Sequence, residues 1–140
     1  MTIIYLLRHG DAVPESVDPA RPLSKLGDAE ITDTILMQVA DGPKIAEIWH
    51  SGKLRAKQSA EIAARMLGVK AVIEKPGLNP DDYVTPIAAQ LKAANKNIMI
   101  VSHMPFLGKL YSLLKTGFEE KDKYDFGSGE VMVIRAISTN

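Results

Sequence analysis

Short, largely apolar runs alternate along this chain with stretches that have helical periodicity. The runs span residues 3–7, 45–49, 69–73, 98–101 and 130–137. Runs of this length and composition are typical of strands that are buried on both faces of a parallel sheet. Because the strands alternate with helices, the sequence predicts an α/β fold with a mainly parallel sheet.

The stretches between the strands predict helices. Ile31, Ile35 and Val39 recur every four residues and give an apolar face to a helix from about residue 24 to 40, which Gly42-Pro43 ends. Further helices are expected over residues 53–67, 82–94 and from 105 to about 114. The helices therefore account for most of the chain between the strands.

Composition narrows the class of protein. The 140 residues carry 17 basic and 17 acidic side chains, so no overall field attracts nucleic acid or an anionic membrane. Without cysteine the chain has no disulfide, no thiolate nucleophile and no cysteine-ligated metal. The longest apolar runs are far shorter than the roughly 20 residues of a membrane-spanning helix, and no secretory signal pattern is visible. We expect one cytoplasmic domain over residues 1–140, monomeric by default.

Polar and cationic residues follow the predicted strands where each strand ends. Arg8 and His9 follow the first run, Arg55 lies soon after the second, and Ser102 and His103 follow the fourth. The carboxyl ends of parallel strands meet at one edge of a sheet, where ligands bind in open α/β folds. Guanidinium groups match oxyanions with paired hydrogen bonds. A phosphate or carboxylate site and a set of ordinary solvated loop residues both remain open at this point.

Four segments resemble the histidine phosphatase superfamily, also called phosphoglycerate mutase-like. Segment 7–12, Leu-Arg-His-Gly-Asp-Ala, is similar to its Arg-His-Gly signature, and segment 51–60 to its second motif, in which Arg-Ala precedes Gln-Thr-Ala. Segment 101–105 is similar to its Ser-His-x-Pro element. Arg21-Pro22-Leu23-Ser24 with Gly27 resembles an element of the small SixA-type phosphohistidine phosphatases. The four segments occur in the family's order, and the resemblance implies a phosphoglycerate mutase-like fold with three layers, α/β/α, and a mainly parallel sheet.

The resemblance implies roles for these residues. His9 is the expected nucleophile and takes the phosphoryl group as a phosphohistidine intermediate, while Arg8, Arg55 and His103 bind the phosphoryl oxygens. Substrate-binding roles are expected for two further residues, Arg21 and Ser102. No metal or other cofactor is implied, because the cationic side chains supply the positive charge.

The chain departs from the wider family in its proton donor. The mutase and acid phosphatase branches have an acidic donor after the second motif, where this chain has Asp81 and Asp82. A carboxylate just before a helix more often caps that helix. Without a donor, the site favours a leaving group that is already protonated, as in phosphohistidine, or an aryl phosphate, over an alkyl ester.

The expected reaction is therefore removal of a phosphoryl group from protein phosphohistidine, with a partner such as a histidine phosphotransfer domain. The same core also fits a small-molecule phosphomonoesterase, and a phosphate-binding module with weak or no turnover is a third alternative. His50 lies 41 residues from His9 and 53 from His103, spacings that match no compact zinc pattern.

Overall fold

A five-stranded sheet forms the centre of the computed structural model, which describes residues 2–137. The strands are β1 (Ile4–Arg8), β2 (Glu47–His50), β3 (Val72–Glu74), β4 (Ile98–Ser102) and β5 (Val131–Ile134). Their order across the sheet is β3-β2-β4-β1-β5. Strands β1 to β4 run parallel, and β5 lies antiparallel beside β1. The predicted mainly parallel sheet is confirmed.

Helices connect the parallel strands. They are α1 (Lys25–Thr34), which continues as a π-helical turn (Ile35–Val39), α2 (Leu54–Leu67), α3 (Thr85–Ala94) and α4 (Phe106–Thr116). In the described part of the chain, no helix combines the length and the hydropathy that crossing a membrane requires.

Some predicted boundaries were wrong, and local hydrogen bonds explain why. The third strand begins at Val72 rather than 69 because the amide of Val69 still donates to the Ala64 carbonyl at the end of α2. The third helix begins at Thr85 rather than about 82 because the carboxylate of Asp82 accepts the amide of Asn79 in a preceding turn. Element ends depend on such contacts more than on periodicity.

Each face of the sheet carries its own apolar core. In β1, Ile4 and Leu6 pack toward α3 and α4, whereas Tyr5 and Leu7 pack toward α1 and α2. All four are at most 2% exposed. The alternation follows from the pleat, which points successive side chains to opposite faces. Burial on both faces explains the unbroken apolar runs, and it gives the three layers that the family resemblance implies.

The strand register places three chain segments at one edge of the sheet. Arg8 at the end of β1 pairs with Ser102 at the end of β4, and His50 at the end of β2 pairs with Val101. The next residues in the chain, among them His9 and His103, therefore emerge side by side. The backbone at the start of each of these three segments is therefore fixed by the strand that precedes it.

Candidate active site

The side chain of His9 is oriented by its own loop. Nδ1 lies 2.7 Å from the carbonyl oxygen of Gly10. A carbonyl oxygen only accepts, so Nδ1 carries the hydrogen and Nε2 keeps its lone pair. Burial and, to a smaller extent, the charges of Arg55, Arg8 and Arg21 together lower the pKa of His9 to about 4, although the Gly10 hydrogen bond opposes them. His9 is consequently a neutral imidazole with a nucleophilic Nε2 at pH 7.

His103 lies beside His9, with ring centroids 4.9 Å apart. It is 2% exposed. Its Nε2 is 2.7 Å from the hydroxyl oxygen of Ser51, which comes directly after β2. Burial, helped by the charges of His9 and Arg55, lowers the pKa of His103 to about 3. This second ring is also neutral at pH 7.

Three buried nitrogen atoms around this pair lack a hydrogen-bond partner within residues 2–137. They are Nε of Arg8, Nε of Arg55 and Nδ1 of His103. Buried polar atoms are paired in the great majority of cases, since leaving one unpaired costs roughly 1–3 kcal/mol. The guanidinium of Arg8 is itself held by a bond from Nη1 to the Phe126 carbonyl. These three nitrogen atoms can donate hydrogen bonds to a ligand that carries several oxygen atoms.

The N-terminus of α2 adds to the positive field. Its N-cap is Lys53, no side chain caps its free amides, and its first turn contains Arg55 but no acidic residue. Cations are unfavourable at the positive end of a helix dipole unless an anion is bound there. This helix start therefore points to the same ligand as the unpartnered nitrogen atoms.

Arg21 also contributes to the site. Its φ of 48° is in the left-handed region, which is uncommon for a non-glycine residue. The loop holds this conformation, because the Arg21 amide donates to the Asp18 carbonyl and Nε donates to the Val13 carbonyl. The Arg21 charge reaches both His9 and Arg55, lowering the pKa of each after the larger effect of burial. The structure thus brings Arg21 to the predicted group, and its substrate-binding role stays a prediction.

Gln58 and Ser59, two other residues of the second motif, form hydrogen bonds to the loops that carry the site. The Gln58 side-chain oxygen accepts the Leu23 amide at 2.7 Å. The Ser59 hydroxyl accepts the Gly10 amide at 3.1 Å and donates to the Arg55 carbonyl at 2.8 Å. One turn of α2 thereby joins the loops that carry His9 and Arg21.

Ser102, whose substrate-binding role stays a prediction, is engaged within the protein. It is 0% exposed, and its hydroxyl donates to the Leu78 carbonyl at 2.7 Å. Its own carbonyl accepts the amide of His9 at 3.1 Å. These two hydrogen bonds join the end of β4 to the loop that contains Leu78 and to the loop that contains His9.

Four further polar residues, Ser51, Lys53, Asp82 and His50, follow the strands of the sheet or lie in the loops next to them. Ser51 and Lys53 lie in segment 51–60 and have no predicted role of their own, yet Ser51 contacts His103 and the Lys53 charge acts on the pKa of His103. The carboxylate of Asp82 accepts a hydrogen bond from the Asn79 amide, a contact typical of a turn. His50 is buried, and its Nδ1 accepts the Gly52 amide at 3.1 Å.

No family model and no curated protein matches this chain. Solved structures similar to it include the protein histidine phosphatase SixA complexed with tungstate, with TM-score 0.83, 24% identity and coverage of 94% of this chain and 86% of that one. A phosphoserine phosphatase from Entamoeba histolytica in complex with 3-phosphoglyceric acid has TM-score 0.68, 17% identity and coverage of 95% and 90%. A mycobacterial glucosyl-3-phosphoglycerate phosphatase has TM-score 0.69, 13% identity and coverage of 94% and 88%. The chain therefore has the phosphoglycerate mutase-like fold of the histidine phosphatases.

Proposed function

We propose that this protein is a phosphatase that transfers the phosphoryl group of its substrate to Nε2 of His9 and then to water. The observation that carries the proposal is the free Nε2 of a neutral His9 beside three buried, unpartnered nitrogen atoms, on Arg8, Arg55 and His103. A tetrahedral phosphoryl group has the oxygen atoms that these donors need. The similarity to a SixA structure that holds tungstate supports the same ligand class.

In the first step the Nε2 lone pair of His9 forms a bond to phosphorus while the bond from phosphorus to the leaving group breaks. Arg8, Arg55 and His103 stabilise the negative charge on the three equatorial oxygen atoms. The new phosphohistidine ring carries positive charge, and its Nδ1–H remains bonded to the Gly10 carbonyl, which stabilises that charge. In the second step water attacks phosphorus and the bond to Nε2 breaks, so hydrogen phosphate leaves with the oxygen and one hydrogen of the water, and the other proton passes to solvent.

The proposed substrate is phosphohistidine in a protein, such as a histidine phosphotransfer domain. Its leaving imidazole is protonated on the ring and departs as a neutral base, so it needs no acid from the enzyme. Consistent with this, the Asp82 carboxylate is bound to a turn amide. An alkyl phosphate leaves as a strongly basic alkoxide, for which the described residues offer no evident donor.

A small-molecule phosphomonoesterase is the second candidate. It is favoured by the two similar structures whose descriptions name phosphoserine and glucosyl-3-phosphoglycerate phosphatases. A panel of phosphohistidine, aryl phosphate and sugar phosphate substrates decides between the two candidates.

The test compares kcat/KM for a phosphohistidine protein, an aryl phosphate and several sugar phosphates. We expect the first two to be turned over and the sugar phosphates to be much slower. The His9→Ala variant should be inactive, and wild-type protein quenched in alkali should carry phosphate on His9 that acid removes. Equal efficiency on sugar phosphates would contradict the substrate assignment, and full activity in His9→Ala would contradict the mechanism.

A further inference from the structure

We infer that Ser51 is a positioning residue, whose hydroxyl holds His103 in the tautomer with hydrogen on Nδ1 so that this ring presents an N–H donor to the phosphoryl group. The catalytic consequence rests on the proposed function, whereas the tautomer itself does not. The family resemblance covers the segment that contains Ser51, but the inference comes from the contact between two residues 52 positions apart.

The contact between Ser51 and His103 is compatible with two proton arrangements. The oxygen–nitrogen distance of 2.7 Å fits either a hydroxyl that donates to the ring or a ring N–H that donates to the hydroxyl, so the other contacts of the hydroxyl decide between them. The hydroxyl oxygen also accepts the Lys53 amide at 3.4 Å, which is a weak contact but occupies one lone pair. Within residues 2–137 the hydroxyl hydrogen has one evident acceptor, Nε2 of His103. Donation from Ser51 to Nε2 therefore satisfies both groups.

The other nitrogen of the ring then becomes a donor. Nδ1 of His103 is buried and has no partner within the described chain, like Nε of Arg8 and Nε of Arg55. With hydrogen on Nδ1, all three nitrogens are donors at the edge where the His9 ring lies. With hydrogen on Nε2 instead, Nδ1 would direct a lone pair at a phosphoryl oxygen, and the two would repel each other.

A neutral imidazole needs such a contact to adopt this tautomer. In water the form with hydrogen on Nε2 is the more populated, and the tautomer in a protein is set by the hydrogen bond that the other nitrogen makes. Burial and the surrounding cations keep the His103 ring neutral, so a second N–H is not supplied by protonation. Ser51 supplies the missing preference, and its place directly after β2 keeps its backbone fixed.

The direct test is nitrogen NMR of protein with labelled histidine, at pH 7 and without ligand. We expect wild-type His103 to carry its hydrogen on Nδ1, Ser51→Ala to shift the ring toward the Nε2–H form, and Ser51→Thr to restore the wild-type spectrum. Ser112→Ala is the matched control, because it removes a buried hydroxyl of α4 that donates to the Phe118 carbonyl, just beyond the end of that helix. Hydrogen on Nε2 in wild-type protein, or an unchanged tautomer in Ser51→Ala, would overturn the inference.

Kinetics with an aryl phosphate test the consequence. Ser51→Ala should lower kcat about tenfold, the effect of weakening rather than removing one transition-state donor, while KM changes by less than about twofold. Ser51→Thr should recover most of kcat, and Ser112→Ala should keep it. A tautomer change with unaltered kcat would refute the positioning role. An inactive wild-type protein with the expected spectra would instead refute the proposed function and leave the tautomer assignment standing.

Discussion

His9 and His103 are neutral at pH 7 because burial lowers the pKa of each, to about 4 and about 3. An exposed histidine nucleophile would lose its lone pair below its ordinary pKa of about 6.5. We therefore predict that kcat/KM, corrected for ionisation of the aryl phosphate, stays level as pH falls from 7 to about 5 and declines only as pH approaches the pKa of His9, about 4. Circular dichroism at each pH verifies folding. An acid limb centred near pH 6.5 would contradict the prediction.

Arg55 and Arg65 lie on the same helix, α2, but in different turns. Arg55 is in the first turn with a buried, unpartnered Nε, whereas Arg65 is in the last turn, where a cation suits the helix dipole. We predict that Arg55→Ala lowers kcat/KM by about 10²–10³, the effect of removing one transition-state donor. Arg65→Ala should stay within about twofold of wild type, as expected of a surface change. Equal losses in the two variants would show that Arg55 acts only through the helix.

Sequence motifs predict site residues well when a charged or imidazole group stands where a buried strand ends. They predict the contacts of hydroxyl groups poorly. Arg8, His9 and His103 stand out because charged or imidazole groups follow buried strands. Ser51 has no predicted role, and the role predicted for Ser102 is substrate binding rather than its contact with Leu78, since a hydroxyl serves equally in a cap, a turn or a site. Their partners, His103 and the Leu78 carbonyl, lie 52 and 24 residues away, and only the assembled fold brings them into contact.

At the scale of elements, the alternation of strands and helices was predictable, while the order of the strands was not. Periodicity reports which faces of a segment are buried, and β1 and β4 are buried on both. It does not report which strand lies beside which. The order β3-β2-β4-β1-β5 and the reversed direction of β5 depend on contacts between distant segments.

The junction between the β1 loop and α1 depends on a close backbone approach at Gly27. A Cβ added there would overlap the carbonyl oxygen of Asp11, and one added at Gly10 would overlap Gly27 in turn. We predict that Gly27→Ala costs about 1–3 kcal/mol in the free energy of unfolding, as overpacking does, and also lowers kcat/KM because the loops carrying His9 and Arg21 are displaced. Urea unfolding and aryl phosphate kinetics measure the two effects.

Gly68→Ala is the matched control for that substitution. Gly68 ends α2 with φ of 68° and would place a Cβ in open space. Its replacement should cost roughly 1–2 kcal/mol through left-handed backbone strain alone and leave kcat/KM unchanged. If Gly27→Ala likewise lost stability without losing activity, the junction would not position the site.

At the scale of the whole molecule, a chain of zero net charge concentrates cations at one edge of its sheet. Arg8, Arg21 and Arg55 all act on the pKa of His9, and Lys53 acts on that of His103. Folding therefore brings these positive charges close to one another, and it lowers the pKa values of His9 and His103 so that neither ring is protonated at pH 7. Both effects oppose folding in the absence of an anion, so stability should depend on pH and on anions together.

The pH dependence has a definite sign. In the unfolded chain His9 and His103 bind protons below about pH 6.5, whereas in the folded chain they do so only near their pKa values of about 4 and about 3. As pH falls from 6.5 toward these values the unfolded state binds more protons, and stability decreases. A bound oxyanion reverses the electrostatic part of this effect, because negative charge beside the rings raises their pKa values.

We therefore predict that inorganic phosphate, compared at equal concentrations of its dianion, raises Tm, and raises it more at pH 5 than at pH 7. An anion at about 100 times its Kd adds about 2.7 kcal/mol to the free energy of unfolding. Arg55→Ala should lose most of this gain, while Arg65→Ala should keep it, since Arg65 lies at the far end of α2. Calorimetric scans of the three proteins at both pH values, with matched ionic strength, make the measurement. A gain of equal size in Arg55→Ala would mean that the anion binds elsewhere, and a smaller gain at pH 5 would mean that binding does not draw protons onto the two histidines.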